Sequence, residues 1–294
     1  MSKKGVIDRE GFKLGYSIEG SGRPALVINS SIYDSCLFSQ NLRKHLRLIF
    51  IDTRVFARSP KNLKHLDSWT VDTILSDIES FRVKLELDSM IVIGHSGNSF
   101  FALEYAKKYP QFVTEVVMIA ISPDLGPKNQ EAARQHWEQN ASAERKTALQ
   151  KNLEELPDNR LQQLPPEERF IKDYVRKTPL IWHDFHFNPA FLWEGVYFNQ
   201  EVFAHIWGKL FKDIDLSKNL DAFNKPVFLA LGRNDFLVAP MSSWNSIRSK
   251  FKDLTICIFE RSGHNPQYEE ASAFDEKLIS WLDQKSPIHR NKNL

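Results

Sequence analysis

Met90-Ile91-Val92-Ile93-Gly94-His95-Ser96-Gly97-Asn98-Ser99 is the stretch whose reading decides the fold. An apolar run of strand character ends in Gly-His-Ser-Gly, and Phe100 to Ala106 at once takes up the spacing of a helix. A serine between small residues at such a junction predicts a nucleophile elbow, the sharp turn that lifts a hydroxyl above a parallel sheet. The turn forces the serine backbone into a strained conformation, so the flanking side chains must be small. It also aims the N–H groups that open the new helix at the place where negative charge would develop on a substrate. Ser96 is therefore the expected nucleophile, and Gly97 the expected source of one oxyanion N–H.

Working outward, Val6 to Asp8 and Phe12 to Glu19 read as an opening hairpin closed by a short turn. Pro24 to Asn29, Leu46 to Asp52 and Val113 to Ser122 read as buried strands. Thr70 to Leu87 places Ile74, Ile78, Phe81 and Leu85 three or four apart, which predicts an amphipathic helix; a second runs from Gly97 to Lys108, stopped by Pro110. Short apolar strands alternating with helices imply an α/β fold, a mostly parallel central sheet with helices on both faces. From about residue 123 to 222 the alternation gives way to a helical, charged, aromatic-rich stretch punctuated by Pro157, Pro165-Pro166, Pro179 and Pro189. It resumes at Lys225 to Leu231, Met241 to Phe251, Asp253 to Phe259 and Ala271 to Gln284. The expected organisation is a core in two parts, 1–122 and 223–286, a helical lid at 123–222 inserted between two late strands, and a polar, frayed tail at 287–294. Such a lid would sit over the carboxyl edge of the sheet, where ligands bind in these folds.

The chain has 294 residues, 42% of them apolar and 26% charged, as an ordinary soluble globular protein does. A formal net charge of +2 gives no reason to expect a nucleic-acid partner, and no long basic run supports one. No apolar stretch approaches a bilayer span, and the start, Met-Ser-Lys-Lys-Gly-Val-Ile-Asp, carries no signal-like segment. Cys36 and Cys257 form neither a disulfide framework nor a metal-ligand spacing, so a cytoplasmic location with no metal or cofactor is expected. The composition leaves the oligomeric state open.

A serine hydroxyl is a poor nucleophile until a base takes its proton, and the base needs a third group to fix its tautomer. Two strands offer such groups. Pro226 to Leu231 is followed by Gly232-Arg233-Asn234-Asp235, and Leu254 to Phe259 by Glu260-Arg261-Ser262-Gly263-His264. The chain order Ser96, Asp235, His264 is the order of the α/β-hydrolase arrangement. Asp124, just after an earlier strand, is the rival acid. His95 should point away from Ser96. His183, Asp184 and His186 have a His-x-x-His spacing without a further ligand set, which suits the lid surface or pocket lining better than a metal.

On these residues the chain resembles the α/β-hydrolase superfamily over about residues 4 to 284, and within it the proline iminopeptidase-like group, capped aminopeptidases. Asp52-Thr53-Arg54-Val55-Phe56-Ala57-Arg58-Ser59 resembles that group's Asp-Gln-Arg-Gly-x-Gly-Arg-Ser loop, and Trp193-Glu194-Gly195 its Trp-Glu cap motif. The resemblance implies a lid carboxylate that holds the free amino terminus of a short peptide, with aromatics packed on a proline ring. Glu194 matches the motif; Glu201 is a second candidate, and Trp193 belongs with them. A carboxylate facing an ammonium is the charge-assisted pair that selection for a free amine requires. There are departures. The group's His-Gly-Gly-Pro-Gly is replaced by Asn29-Ser30-Ser31-Ile32-Tyr33, Asn98 stands where the elbow usually has glycine, and Val55 and Ala57 replace loop glycines. The second oxyanion N–H is assigned to Ser31. Arg54 and Arg58 are expected to tie their loop to the core.

The expected chemistry is hydrolysis of a small amide or ester through an acyl-enzyme. Release of an N-terminal proline-like residue ranks just ahead of general carboxylesterase action. From other classes, an acyltransferase and a non-catalytic ligand-binding homologue remain open.

Overall fold

The computed structural model describes residues 3–61, 63, 66–212 and 214–285; the predicted tail at 287–294 lies outside them. Eight strands form one sheet in the order β1-β2-β4-β3-β5-β6-β7-β8. They are β1 (Lys3–Arg9), β2 (Phe12–Glu19), β3 (Arg23–Asn29), β4 (Leu46–Asp52), β5 (Met90–His95), β6 (Val113–Ile119), β7 (Val227–Gly232) and β8 (Leu254–Phe259). The β1–β2 and β2–β4 pairings are antiparallel, and every pairing from β4 across to β8 is parallel. The opening hairpin turns at Glu10 and Gly11, whose φ values of 53° and 86° are left-handed, a conformation open to glycine without steric cost.

The central strands read as unbroken apolar runs because both of their faces are covered. On β3, Leu26 and Ile28 join one core cluster while Ala25 and Val27 join the other. On β5, Val92 faces the first and Ile91 and Ile93 the second. Helix Val71–Lys84 lays Ile74, Leu75, Ile78 and Phe81 on the first face, and helix Ala271–Lys285 lays Phe274, Leu278 and Trp281 on the second. Thr70 opens the former, its N–H donating to Thr73 Oγ1 at 3.2 Å, so both ends of a capping box are in place.

The polypeptide visits β3, then β4 on one side, then crosses to β5 on the other. The carboxyl ends of β3 and β5, at Asn29 and His95, therefore flank a topological switch point, where a crevice opens in sheets of this kind. Between β6 and β7 the chain is helical: Pro127–Asn140, Ala143–Glu155, Pro166–Arg176 and Gln200–His205, continued by a π-helical turn at Ile206–Leu210. Among the described residues no helix is long and apolar enough to cross a membrane. One expected helix is not formed. Met241 to Phe251 makes two short 3-10 turns, Met241–Trp244 and Arg248–Lys250. Serine and asparagine, the residue types at 242, 243, 245 and 246, favour turns over helix interiors, Ser246 Oγ donates to Ser243 O at 3.4 Å, and only Trp244, Ile247 and Phe251 anchor the stretch in the core.

Candidate active site

Ser96 sits one residue beyond β5 with φ of 55°, in the left-handed region, and its N–H donates to Ile119 O at 2.8 Å. Helix Asn98–Lys108 starts two residues later. The demand for small neighbours has two distinct causes. A Cβ on Gly94 would lie 2.6 Å from the backbone N and Cα of Ser99, because the helix doubles back over the strand. A Cβ on Gly97 would lie 2.7 Å from Phe211 Cε2 and 2.9 Å from Trp207 Cζ2, so two aromatics from the inserted segment press on the elbow itself. As the residue that opens the helix, Gly97 carries one of the N–H groups with no carbonyl a turn behind it.

Asp235 and His264 follow β7 and β8 and are both buried. His264 Nδ1 lies 2.7 Å from Asp235 Oδ2, while Asp235 Oδ1 accepts the Leu237 N–H at 3.0 Å. With Nδ1 committed to the carboxylate, Nε2 is the nitrogen left to receive a proton. The rival Asp124 accepts the N–H of Gly126 at 2.7 Å, closing its own turn, and the acid that meets His264 is Asp235. The loop carrying His264 is held from several sides: its N–H donates to Ile181 O at 2.6 Å, and Glu269 accepts the N–H groups of Gly263 and Asn265 at 2.9 and 3.2 Å. Burial pushes the Glu269 carboxyl up to about 7.

His95 lies 2.8 Å from the main-chain oxygen of His264, their rings 5.1 Å apart. Burial, with the neighbouring His264 second, lowers His95 to about 3. It is thus neutral, and its Nε2–H donates to that carbonyl, tying the base's loop to the elbow. His183 and His186 are exposed on the inserted segment, and among the described residues no group of three or more His, Cys, Asp or Glu is placed to hold a metal. Arg54 is buried, bound to Asp77 at 2.6 and 2.9 Å under the ring of Trp69, and Arg58 stacks over Tyr197, so both secure their own segment.

Ser96, Gly97, Asn98 and His264 line a cavity of about 210 Å³. Trp193, Phe198, Phe203 and Trp207 come to it from the stretch whose aromatics were read as a lid, joined by Ile206 and Phe211. Besides Ser96 and the two histidines, its polar lining consists of uncharged groups: Asn29, Tyr33, Thr53, Asn98 and Tyr174. The hydroxyls of Tyr33 and Tyr174 are 2.9 Å apart, and burial raises both above the ordinary tyrosine value, so they stay protonated. Trp193 stacks on Tyr33 with ring centroids 4.0 Å apart. A wider, open groove of about 900 Å³ runs along helix Ala271–Lys285 beside Asp275, Glu276 and Asp283, with no histidine or cysteine among its lining residues.

Three sequence-derived site residues sit elsewhere than expected. Glu194 and Glu201 are exposed and outside the cavity lining, although Trp193 next door is buried within it. The turn that sends Trp193 inward sends Glu194 outward. The Ser31 N–H donates to Asp52 Oδ1 at 2.6 Å and is already engaged. Conversely, Phe170 and Tyr174 line the cavity from helix Pro166–Arg176 and were not anticipated. Their four-residue spacing, aromatic among charged neighbours, was the available signal.

A model of the alpha/beta hydrolase fold matches residues 21–271. The chain belongs to the α/β-hydrolase family. It is 38% identical over 284 residues to the AB hydrolase superfamily protein YclE of Bacillus subtilis (strain 168), covering 97% of this chain and 100% of that one. A proline iminopeptidase of Heyndrickxia coagulans is 23% identical over 307 residues, covering 93% of this chain and 96% of the other. Among solved structures, the proline iminopeptidase of Mycobacterium smegmatis superposes with a TM-score of 0.68 at 14% identity, over 96% of this chain and 98% of that one. An alpha/beta fold family hydrolase from Bacillus anthracis str. Sterne gives 0.67 at 18% identity, over 94% and 98%. The proline iminopeptidase-like resemblance is therefore present in whole-chain sequence as well as in fold, and hydrolysis is the chemistry of the α/β-hydrolase relatives.

Proposed function

We propose that this α/β-hydrolase is a serine hydrolase that transfers the acyl group of a small, neutral, largely apolar ester to water. The observation that carries the reading is the cavity around Ser96: aromatic and aliphatic walls, uncharged polar groups, and no carboxylate among the lining residues. His264 Nε2 takes the Ser96 proton as Oγ bonds to the substrate carbonyl carbon, and the carbonyl electron pair moves onto oxygen. The Gly97 N–H faces that oxygen. The tetrahedral species collapses, the bond to the leaving alkoxide breaks, and His264 returns the proton to it. Water, deprotonated by the same His264, repeats the sequence on the acyl-Ser96 ester. Asp235 holds the imidazole with Nδ1–H inward and stabilises its protonated form.

A second reading, release of an N-terminal proline-like residue from peptides, is favoured by the proline iminopeptidase relatives and by Trp193, a flat buried surface in the cavity. It lacks the carboxylate that a free ammonium would need, since Glu194 and Glu201 face solvent. The free thiols of Cys36 and Cys257 suit a reducing, cytoplasmic setting.

A panel pairing p-nitrophenyl acyl esters with aminoacyl and prolyl p-nitroanilides tests the assignment. The expected result is ester turnover that exceeds prolyl amide turnover, with covalent labelling by an alkyl fluorophosphonate that disappears in Ser96→Ala. Dominant prolyl amidase activity would favour the peptidase reading, and labelling that persists in Ser96→Ala would remove both.

A further inference from the structure

We propose that the second oxyanion donor is the side-chain amide of Asn98, with Asn29 and Asp34 as its positioning residues. The proposal rests on the acyl-transfer reading above. An oxyanion in a dry cavity needs more than one preorganised donor, and the Gly97 N–H is a single one. In this fold the other is sought in the loop after β3, and here both of that loop's obvious N–H groups are occupied. Ser30 N–H donates to Asp34 Oδ2 at 3.0 Å, and Ser31 N–H donates to Asp52 Oδ1 at 2.6 Å.

What this region presents to the cavity instead is two amide side chains, Asn29 and Asn98, beside Ser96. Their orientation is fixed by a chain of bonds that begins in the core. Asp34, fully buried, accepts from Asn29 Nδ2 at 2.8 Å with the same Oδ2 that takes the Ser30 N–H. With the acid's proton on the unpartnered Oδ1, Oδ2 stays an acceptor, so the nitrogen end of Asn29 faces Asp34 and its Oδ1 turns toward Asn98. An oxygen can be met there only by a donor, and Asn98 Nδ2 meets it at 2.7 Å. Both amide orientations follow from Asp34 Oδ2 acting as the acceptor at the start of this chain. Asn98 Nδ2 spends one hydrogen on Asn29, and the second remains for an acceptor in the cavity that Asn98 lines. Asn98 is also the more exposed of the pair, standing two residues past the serine at the first position of the helix. The asparagine that departs from the usual elbow glycine thus has a use. It is a neutral donor that moves no proton; it holds the carbonyl oxygen while the electron pair resides there.

The test uses the full-length protein with Asn98→Ala, Asn98→Asp, Asn29→Ala and the Asn98→Ala/Asn29→Ala double variant. Each is assayed on a short p-nitrophenyl ester and titrated with an alkyl boronic acid, which forms a tetrahedral adduct on a reactive serine. Asn98→Ala is expected to lower kcat by about 10²- to 10³-fold, the usual effect of deleting one such donor, with KM changed by less than roughly threefold. Boronate affinity should fall with kcat. Asn98→Asp should be worse than Asn98→Ala, since a carboxylate repels both the oxyanion and Asn29 Oδ1. The loss in Asn29→Ala should vanish in the Asn98→Ala background, as expected for a residue that acts through another. A kcat for Asn98→Ala within roughly threefold of the parent, or a rise in KM alone, overturns the donor role. An Asn29→Ala effect that persists in the double variant overturns the positioning chain. Failure of the parent protein to form a fluorophosphonate adduct at Ser96 would instead overturn the acyl-transfer reading, and this proposal with it.

Discussion

Replacing Asp34 with asparagine should flatten the pH dependence of stability. Asp34 has no exposed surface, and its Oδ2 accepts two N–H bonds while its Oδ1 has no partner among the described residues. Burial, partly offset by those two bonds and reinforced by the Asp52 charge, raises the carboxyl from 3.8 to about 7. A raised acid binds its proton more tightly folded than unfolded, so its contribution is full below pH 3.8 and is lost as pH climbs through 7. With about 1.4 kcal/mol per pH unit over that window, the native protein should lose on the order of 2 to 3 kcal/mol between pH 5 and 8 from this group alone. Asp34→Asn keeps an oxygen to accept from Asn29 and Ser30 and has nothing to titrate, so it mimics the protonated acid at every pH. Asp52, raised to about 6, and Glu269 titrate in both proteins and largely cancel in the difference. Urea unfolding followed by tryptophan fluorescence at pH 5, 6, 7 and 8 measures it: Asp34→Asn should gain on the parent protein from pH 5 to about 7 and level off by pH 8. Two stability curves that run parallel from pH 5 to 8 would refute the account of Asp34 as a proton-holding buried acid.

Asp235→Asn should lower kcat on esters by about 10³- to 10⁴-fold with little change in KM, because the amide misdirects the His264 tautomer; steady-state kinetics settles it, and a loss carried by KM would count against the pair. Gly94→Ala should cost at least about 2 kcal/mol in urea unfolding, since the new methyl meets backbone atoms of Ser99 that cannot swing aside; an unchanged midpoint would show that the helix can retreat. Phe170→Ala removes a ring stacked 3.7 Å from Phe198 over the cavity and should move the preferred acyl chain to greater length; a chain-length series with an unmoved optimum would place the acyl group elsewhere.

The elbow and the two loops after β7 and β8 were legible because each is set by a local constraint. Ser96 needs a left-handed φ, Gly94 and Gly97 need the absence of a Cβ, and Asp235 and His264 each end an apolar strand. Central strands announce themselves as solid apolar runs when both faces are covered. Other features depend on contacts far apart in sequence. The Ser31 N–H is bonded to Asp52, an acid on the next strand over, and no local pattern reports that bond. Glu194 was matched by motif, yet a motif fixes neighbours in sequence and not the side to which a 3-10 turn directs each. Met241 to Phe251 carries a helical spacing of large residues while its serines and asparagine favour turns, and packing resolved the conflict toward turns.

The same physical demand explains why the unanticipated residues come from the inserted helices. Charge that develops on a carbonyl oxygen is held most strongly where water is absent, and the sheet edge alone cannot exclude water from a hydroxyl raised above it. Trp207 and Phe211 lie against Gly97, so the rings that dry the site touch the residue whose N–H faces the oxyanion in the proposed reaction. Phe170, stacked on Phe198 and edge-on to Trp193, extends that cover toward Tyr33 and Tyr174. The covering residues need only be large, apolar and correctly placed by tertiary packing, a requirement that many sequences meet and that leaves no fixed spacing to read. The elbow, by contrast, leaves no room for a Cβ at Gly94 or Gly97, and those glycines therefore stand out in the sequence.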